Sequence, residues 1–310
     1  MTHSNQSVGI RTEKSLIEYL HPLDHACMME TINVLCERYS FLSVSYVGES
    51  ILGRGIPLVT LGEGEKSVLY VGAHRGDEWM SSLLLLRMIN EYCETMKNGG
   101  KLLHYNLRYL FSSRTLYIIP MLNPDGVEYA LHGVQGDHVM YERVMGMNGG
   151  NPDFSLWQAN ARGVDLTQNY ATDFAEYKRL EIEQGILGGQ PCGYGGDMPE
   201  SEPEVAQLCN WIHYHGDIRL AMELRSGEKG VYVAEELPKG MEMGASLSRA
   251  AGYSLKPLSS RGMSQWCTGE LGVPSFHVSY GTGERIKTVR EYFYYYAKLR
   301  QMLFLAPSLI

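Results

Sequence analysis

Apolar positions recur with a helical period near 3.6 from Leu16, Tyr19 and Leu20 through Met28, Met29, Ile32, Leu35 and Cys36, ending at Glu37-Arg38. The dozen residues before them are polar, which predicts a disordered N-terminus over 1–12 ahead of a single domain over 13–310. Two alternating segments, Leu42–Val47 and Ile56–Leu61, are separated by Gly48-Glu49-Ser50 and Gly53-Arg54-Gly55, which predicts a hairpin. Ser67–Ala73 is a continuous apolar run of the kind found in strands buried on both faces, and it leads through a polar turn into a helix over Ser81–Met96. Thr115–Pro120 is a second such run. Ile218–Leu224, preceded by a helix over Glu202–Tyr214, and Ser275–Tyr280 are two more. Strands alternating with helices predict a three-layer α/β fold with a mixed, mainly parallel sheet flanked by helices. No internal repeat, low-complexity segment or linker divides the chain.

Composition narrows the function classes. The 310 residues carry 27 Lys+Arg and 35 Asp+Glu, a net charge of −8, and no basic run longer than Lys178-Arg179. That argues against a nucleic-acid partner, which needs clustered cations. The longest leucine run, Leu83–Leu86, falls far short of the roughly 20 apolar residues of a membrane span, so no membrane partner is expected. The N-terminus lacks the basic-then-apolar pattern of a signal peptide, and six cysteines stand without paired spacing. Both point to reduced thiols in a cytoplasm. Asp137–Asp197 is rich in Gly, Asn, Gln and Asp and weakly periodic, which predicts long irregular loops.

Several residues carry candidate chemistry. His74 and Glu78 follow a buried strand and could hold a metal; equally, His74 could hydrogen-bond in the turn while Asp77 and Glu78 favour a helix N-terminus. Asn123-Pro124-Asp125-Gly126 reads as a turn, and Ser201-Glu202-Pro203-Glu204 as a helix start capped by Ser201. Cys192 has no basic neighbour to activate it. His213 and His215 would not share a helical face, and the aromatic cluster Tyr292–Tyr296 suits packing of the last helix onto the sheet.

Taken in order, these pieces resemble the zinc carboxypeptidase family, in particular its bacterial γ-D-glutamyl-diaminopimelate peptidase branch. The resemblance rests on Gly48-Glu49-Ser50 with Gly53-Arg54, Gly72-Ala73-His74-Arg75-Gly76-Asp77-Glu78-Trp79, Asn123-Pro124-Asp125-Gly126 and Asn160-Ala161-Arg162-Gly163-Val164-Asp165-Leu166. Ser201-Glu202-Pro203-Glu204 and Gly272-Val273-Pro274-Ser275-Phe276 add to it, so the match spans about residues 40–285. The resemblance implies a zinc held by a His, a Glu three residues later and a second His, with water at the fourth position. It further implies a separate Glu as general base and an Arg that anchors the substrate carboxylate.

The chain departs from that pattern at the positions that carry the chemistry. Counting back from Trp79 puts Arg75 at the usual His position, and a one-residue insertion would make His74 the ligand instead; Glu78 is retained. The stretch matching the second His, Met222-Glu223-Leu224-Arg225-Ser226-Gly227-Glu228, contains no histidine. Ser279 stands at the general-base position by two countings, from Gly272 and from Trp266, whereas Glu270 imitates a Thr-x-Glu-Leu-Gly motif that both reject. Thr167-Gln168 replaces the family's substrate-binding Asn-Arg, Pro257 its mobile Tyr, and Arg162 could still meet a carboxylate. A hydroxyl cannot serve as the neutral-pH base, and a guanidinium offers zinc no lone pair.

Three readings follow. In the first, the protein is a catalytically impaired relative that binds a peptide or a peptidoglycan-derived fragment, without a metal. In the second, it is an active zinc peptidase in which His74, Glu78 and Glu223 converge to within about 2.0–2.2 Å of one ion, with Glu270 or Glu228 as base. In the third, it is a hydrolase with Ser279 as nucleophile and His277 on the same strand face.

Overall fold

The computed structural model describes residues 22–259, 261–282 and 288–310. The expected N-terminal disorder and the helical positions Leu16–Leu20 lie outside these residues. The strands are β1 (Leu42–Glu49), β2 (Gly55–Gly62), β3 (Lys66–Gly72), the two-residue pair β4 (Lys101–Leu102) and β5 (Tyr105–Asn106), β6 (Arg114–Ile119), β7 (Ile218–Arg225), β8 (Glu228–Val233), β9 (Leu255–Pro257) and β10 (Ser275–Thr282). The helices are α1 (His25–Arg38), α2 (Trp79–Lys97), α3 (Leu107–Ser113), α4 (Pro124–His132), α5 (Tyr141–Met147), α6 (Phe174–Glu183), α7 (Pro203–Tyr214), α8 (Pro238–Ala251), α9 (Met263–Leu271) and α10 (Tyr292–Leu305).

One eight-stranded sheet runs in the order β1-β2-β6-β3-β7-β10-β8-β9. Its centre, β6-β3-β7-β10, is parallel, and β1, β2 and β8 add antiparallel pairs. The centre is buried on both faces, which is why β3 reads as an unbroken apolar run. One face packs on α1, α2, α8 and α10 through residues such as Leu83, Leu86, Leu247 and Leu299. The other packs on α7 and α9 through Val205, Leu208, Met263 and Trp266. The sheet is thus the middle of three layers. Tyr292, Tyr295 and Tyr296 pack inward from α10, while Phe293 and Tyr294 face solvent.

Three local expectations change. Asn123-Pro124-Asp125-Gly126 is the first turn of α4, not a free turn: Pro124 opens the helix, and the Asn123 side chain accepts the Gly126 N–H at 2.9 Å. The residue preceding α7 is Glu202, whose side chain caps nothing, and Ser201 donates its hydroxyl to Glu202 at 2.9 Å. The stretch from 137 to 197 contains α5 and α6 as well as loops.

Candidate functional site

The carboxyl ends of β3, β7 and β10 lie side by side, where open α/β sheets place their ligands. After β3 the chain turns sharply through Ala73, whose φ is +46°. Ala73 donates its N–H to the Ser81 hydroxyl at 2.7 Å and accepts the Asn123 N–H at 2.9 Å. Gly76 then passes so close to α4 that a Cβ would sit 2.3 Å from the Gly126 carbonyl oxygen. The glycines of two sequence motifs are therefore one packing contact, and it delivers His74, Arg75 and Glu78 to the end of the sheet.

Glu78 is the hub. Fully buried, it accepts the Ser226 N–H at 3.1 Å and lies 3.3 Å from Arg75 Nε and 3.8 Å from Arg225 Nε. Burial holds its carboxyl above the ordinary value, and the two guanidiniums offset that only in part. Burial also works against the Arg75 charge, but Glu78 and Asp77 outweigh it and raise the pKa, so the group stays protonated. Arg75 is further fixed by Asp77 at 3.2 Å and by the Ser226 hydroxyl at 3.2 Å, and Asp77 accepts from Gln158 at 3.3 Å.

His74 shares a hydrogen bond of 2.9 Å between its Nε2 and the Tyr170 hydroxyl. Its Nδ1 has no hydrogen-bond partner and lies 3.8 Å from Glu223 Oε2. Burial, reinforced by Arg225, lowers the His74 pKa to about 3, so the ring is neutral at pH 7. Burial raises Glu223 against the pull of Arg225. The contact is thus not an ion pair. On β10, Ser279 pairs in register with Arg225, and His277 with Glu223; residues so paired face the same side of the sheet. The Ser279 hydroxyl is buried without a hydrogen bond, and the His277 ring lies 4.9 Å from that of Tyr232.

The remaining candidates are dispersed. Glu270 is exposed on α9, and Glu228, 75% exposed, pairs with Lys256 at 2.7 Å. Thr167 donates its hydroxyl to Asp165 at 2.7 Å, and Gln168 donates to the Thr167 hydroxyl at 3.1 Å. Arg162, 47% exposed, lies 3.8 Å from Glu202 and lines a polar cavity of about 470 Å3 with Arg143, Tyr194 and Asp197. Tyr170, the partner of His74, went unnoticed in the sequence; nothing in Asn169-Tyr170-Ala171 marks it, since its role arises only when the loop folds back over β3.

A second buried polar cluster gathers the other motifs. Asp125 accepts from Arg54 at 2.6 Å, from the Ser50 hydroxyl at 2.9 Å and from the Leu52 N–H at 2.9 Å. Beside it, Glu204 accepts the Ile51 N–H at 3.3 Å, and Asn160 donates to Glu202 at 2.7 Å and to Glu204 at 3.4 Å. Burial, backed by Asp125 and Glu202, raises the Glu204 pKa to about 7.

The sequence profile described as zinc carboxypeptidase matches residues 28–236. The chain belongs to the zinc carboxypeptidase family. It is 26% identical over 275 residues to γ-D-glutamyl-L-diamino acid endopeptidase 1 of Lysinibacillus sphaericus, a match covering 87% of this chain and 68% of that protein. It is 29% identical over 225 residues to the uncharacterized protein YqgT of Bacillus subtilis, covering 71% of this chain and only 58% of that one. The structure of bovine thrombin-activatable fibrinolysis inhibitor in complex with a tick carboxypeptidase inhibitor superposes with a TM-score of 0.71 at 15% identity, covering 93% and 97% of the two chains, and shows the shared fold.

The family's zinc does not suit the residues of this chain. Glu78, the retained carboxylate, faces two guanidiniums that repel a cation and offer no lone pair. His74, Glu78 and Glu223 do not bring three ligand atoms together: among the described residues, the one such group within 4.8 Å is Asp24, Glu128 and His132. That group lies between α1 and α4 and is already spent on capping, because Asp24 accepts the Cys27 N–H at 2.8 Å and Glu128 the His25 N–H at 3.0 Å.

Proposed function

We propose that this member of the zinc carboxypeptidase family binds a peptide at the carboxyl ends of β3, β7 and β10 without hydrolysing it. The observation that carries the reading is Glu78 held between Arg75 and Arg225, an ion-pair cluster where the family's metal chemistry would be. Ser279 at the base position supports it, since a hydroxyl remains protonated at neutral pH and takes no proton from water. The ligand class is a peptide, and the name of the Lysinibacillus sphaericus relative favours a cell-wall fragment with a γ-D-glutamyl linkage. The shared sheet favours one domain over 13–310, and six free cysteines favour a reducing, cytoplasmic location.

The test is elemental analysis of protein purified without chelator, together with incubation with γ-D-glutamyl peptides. The expected result is no stoichiometric zinc and no cleavage, with peptide binding retained. One zinc per chain with peptide hydrolysis would sink the reading.

A further inference from the structure

We infer that the polar cavity beside Arg162 is a second binding site, separate from the peptide site at the ends of β3, β7 and β10, and that it takes a phosphate group, free or as the ester of a small polar molecule. The cavity, of about 470 Å3, is lined by Arg143, Arg162, Tyr194, Asp197, Ser201 and Glu202 together with three glycines. It shares no lining residue with the ion-pair cluster around Glu78. Its size is that of a small-molecule site, about 300–1,000 Å3, but its polar wall suits a polar ligand. Close backbone packing shapes that wall. A Cβ on Gly189 would lie 2.5 Å from the Arg162 carbonyl oxygen, and one on Gly196, at φ +90°, 2.6 Å from Ser201 Oγ. Glycine at both places lets the loops close around the cavity. Buried Val144, packed with Phe154 and Trp157, anchors α5 and with it Arg143.

The acceptors of the cavity are spent within the chain and the donors are not. Buried Glu202 accepts the Ser201 hydroxyl at 2.9 Å and the Asn160 amide at 2.7 Å, and Asp197 accepts the Tyr194 hydroxyl at 2.6 Å. Arg162 comes no nearer to Glu202 than 3.8 Å, beyond hydrogen-bond range. Arg143 makes no hydrogen bond or ion pair to any described residue, and the N–H groups of Gly188 and Gly189 have no acceptor among them. Two guanidinium forks and two backbone donors on one wall call for an anion with several acceptor oxygens. A carboxylate fills a single fork through two parallel bonds. A phosphate group has three or four oxygens and a charge of about −1.5 to −2 at pH 7, so it serves both arginines at once.

The experiment is calorimetric titration of the full-length protein, in phosphate-free buffer at low salt, with inorganic phosphate, glycerol 3-phosphate and succinate. At least one phosphate compound should bind at one site per chain, about tenfold or more tightly than succinate. Tighter binding of glycerol 3-phosphate than of inorganic phosphate assigns the ester; the reverse assigns the free ion. Arg143→Gln and Arg162→Gln should each weaken that binding about tenfold, with the melting temperature unchanged because both side chains reach solvent. Arg179→Gln removes the same charge from an exposed position of α6 outside the cavity and should leave the affinity unchanged. No saturable binding of either phosphate compound, succinate bound as tightly, or equal weakening by all three substitutions overturns the site. None of these outcomes bears on peptide binding at the ends of the sheet.

Discussion

Two buried carboxylates, Asp125 and Glu78, sit at the ends of the same sheet and are bound in opposite ways. Asp125 meets one guanidinium, one hydroxyl and one backbone N–H, all within 2.9 Å. Glu78 meets two guanidiniums at 3.3 and 3.8 Å, neither in close bidentate contact. The first cluster ties loops to α4 and α7, and its residues are the ones that carry the family resemblance. The second stands where the family's chemistry belongs, and around the retained Glu78 it is the partners, Arg75 and Arg225, that depart. A motif can persist because it holds the backbone, whatever has become of the reaction it once framed.

Removing each hub carboxylate should destabilise the two clusters unequally. Asp125→Ala leaves Arg54 and the Leu52 N–H without their acceptor, and should cost about 4 kcal/mol of stability. Urea denaturation measures it, and a loss below about 1 kcal/mol would mean the network is not the scaffold described. Glu78→Ala should cost less, about 3 kcal/mol, because Arg75 keeps Asp77 and the Ser226 hydroxyl. In the wild type a strong chelator should leave the melting temperature unchanged; a drop on chelation would show that a metal, not the guanidiniums, neutralises Glu78.

Glu204 makes the first cluster sensitive to pH. Its folded pKa of about 7 exceeds the ordinary carboxyl value of 4.5, so the folded state holds this proton more tightly than the unfolded chain does. The stabilisation is complete below about pH 4.5 and is lost as the pH rises towards 7. Glu204→Gln has no proton to lose. Relative to wild type it should gain stability across that window, to no more than about 3 kcal/mol above pH 7. Asp125 and Glu202 face the same group, so the measurement is the difference between two denaturation-versus-pH curves. A flat difference would place Glu204 among ordinary carboxylates.

The sequence pattern revealed what burial imprints on it. Strands β3, β6, β7 and β10 are legible because both faces are covered, and α2 because its first turns are buried all round and run through four consecutive leucines. Helix α6 was not legible, since among its ten residues Glu181 alone is buried and no apolar stripe forms. Helix α8 hides behind Gly240, Gly244 and Ser246, and β8 begins with Glu228-Lys229-Gly230, a poor strand signal. At the site, the one-residue offset of His74 and the loss of the second histidine could be counted along the chain, but the pairing of Glu78 with Arg225 depends on how β3 and β7 align, which spacing alone does not encode. The same holds for Tyr170 against His74, 96 residues apart.

Glu270 supplies the smallest expected effect and the clearest control. Thr268-Gly269-Glu270-Leu271-Gly272 matches a catalytic motif by letter, yet its carboxylate points to solvent from the last turn of α9. Glu270→Ala should therefore change stability by less than about 0.5 kcal/mol and leave peptide affinity untouched, as exposed substitutions away from special contacts do. If it weakens peptide binding severalfold while the fold stays intact, the ligand reaches α9, and the centre of recognition shifts there from the carboxyl ends of β3, β7 and β10.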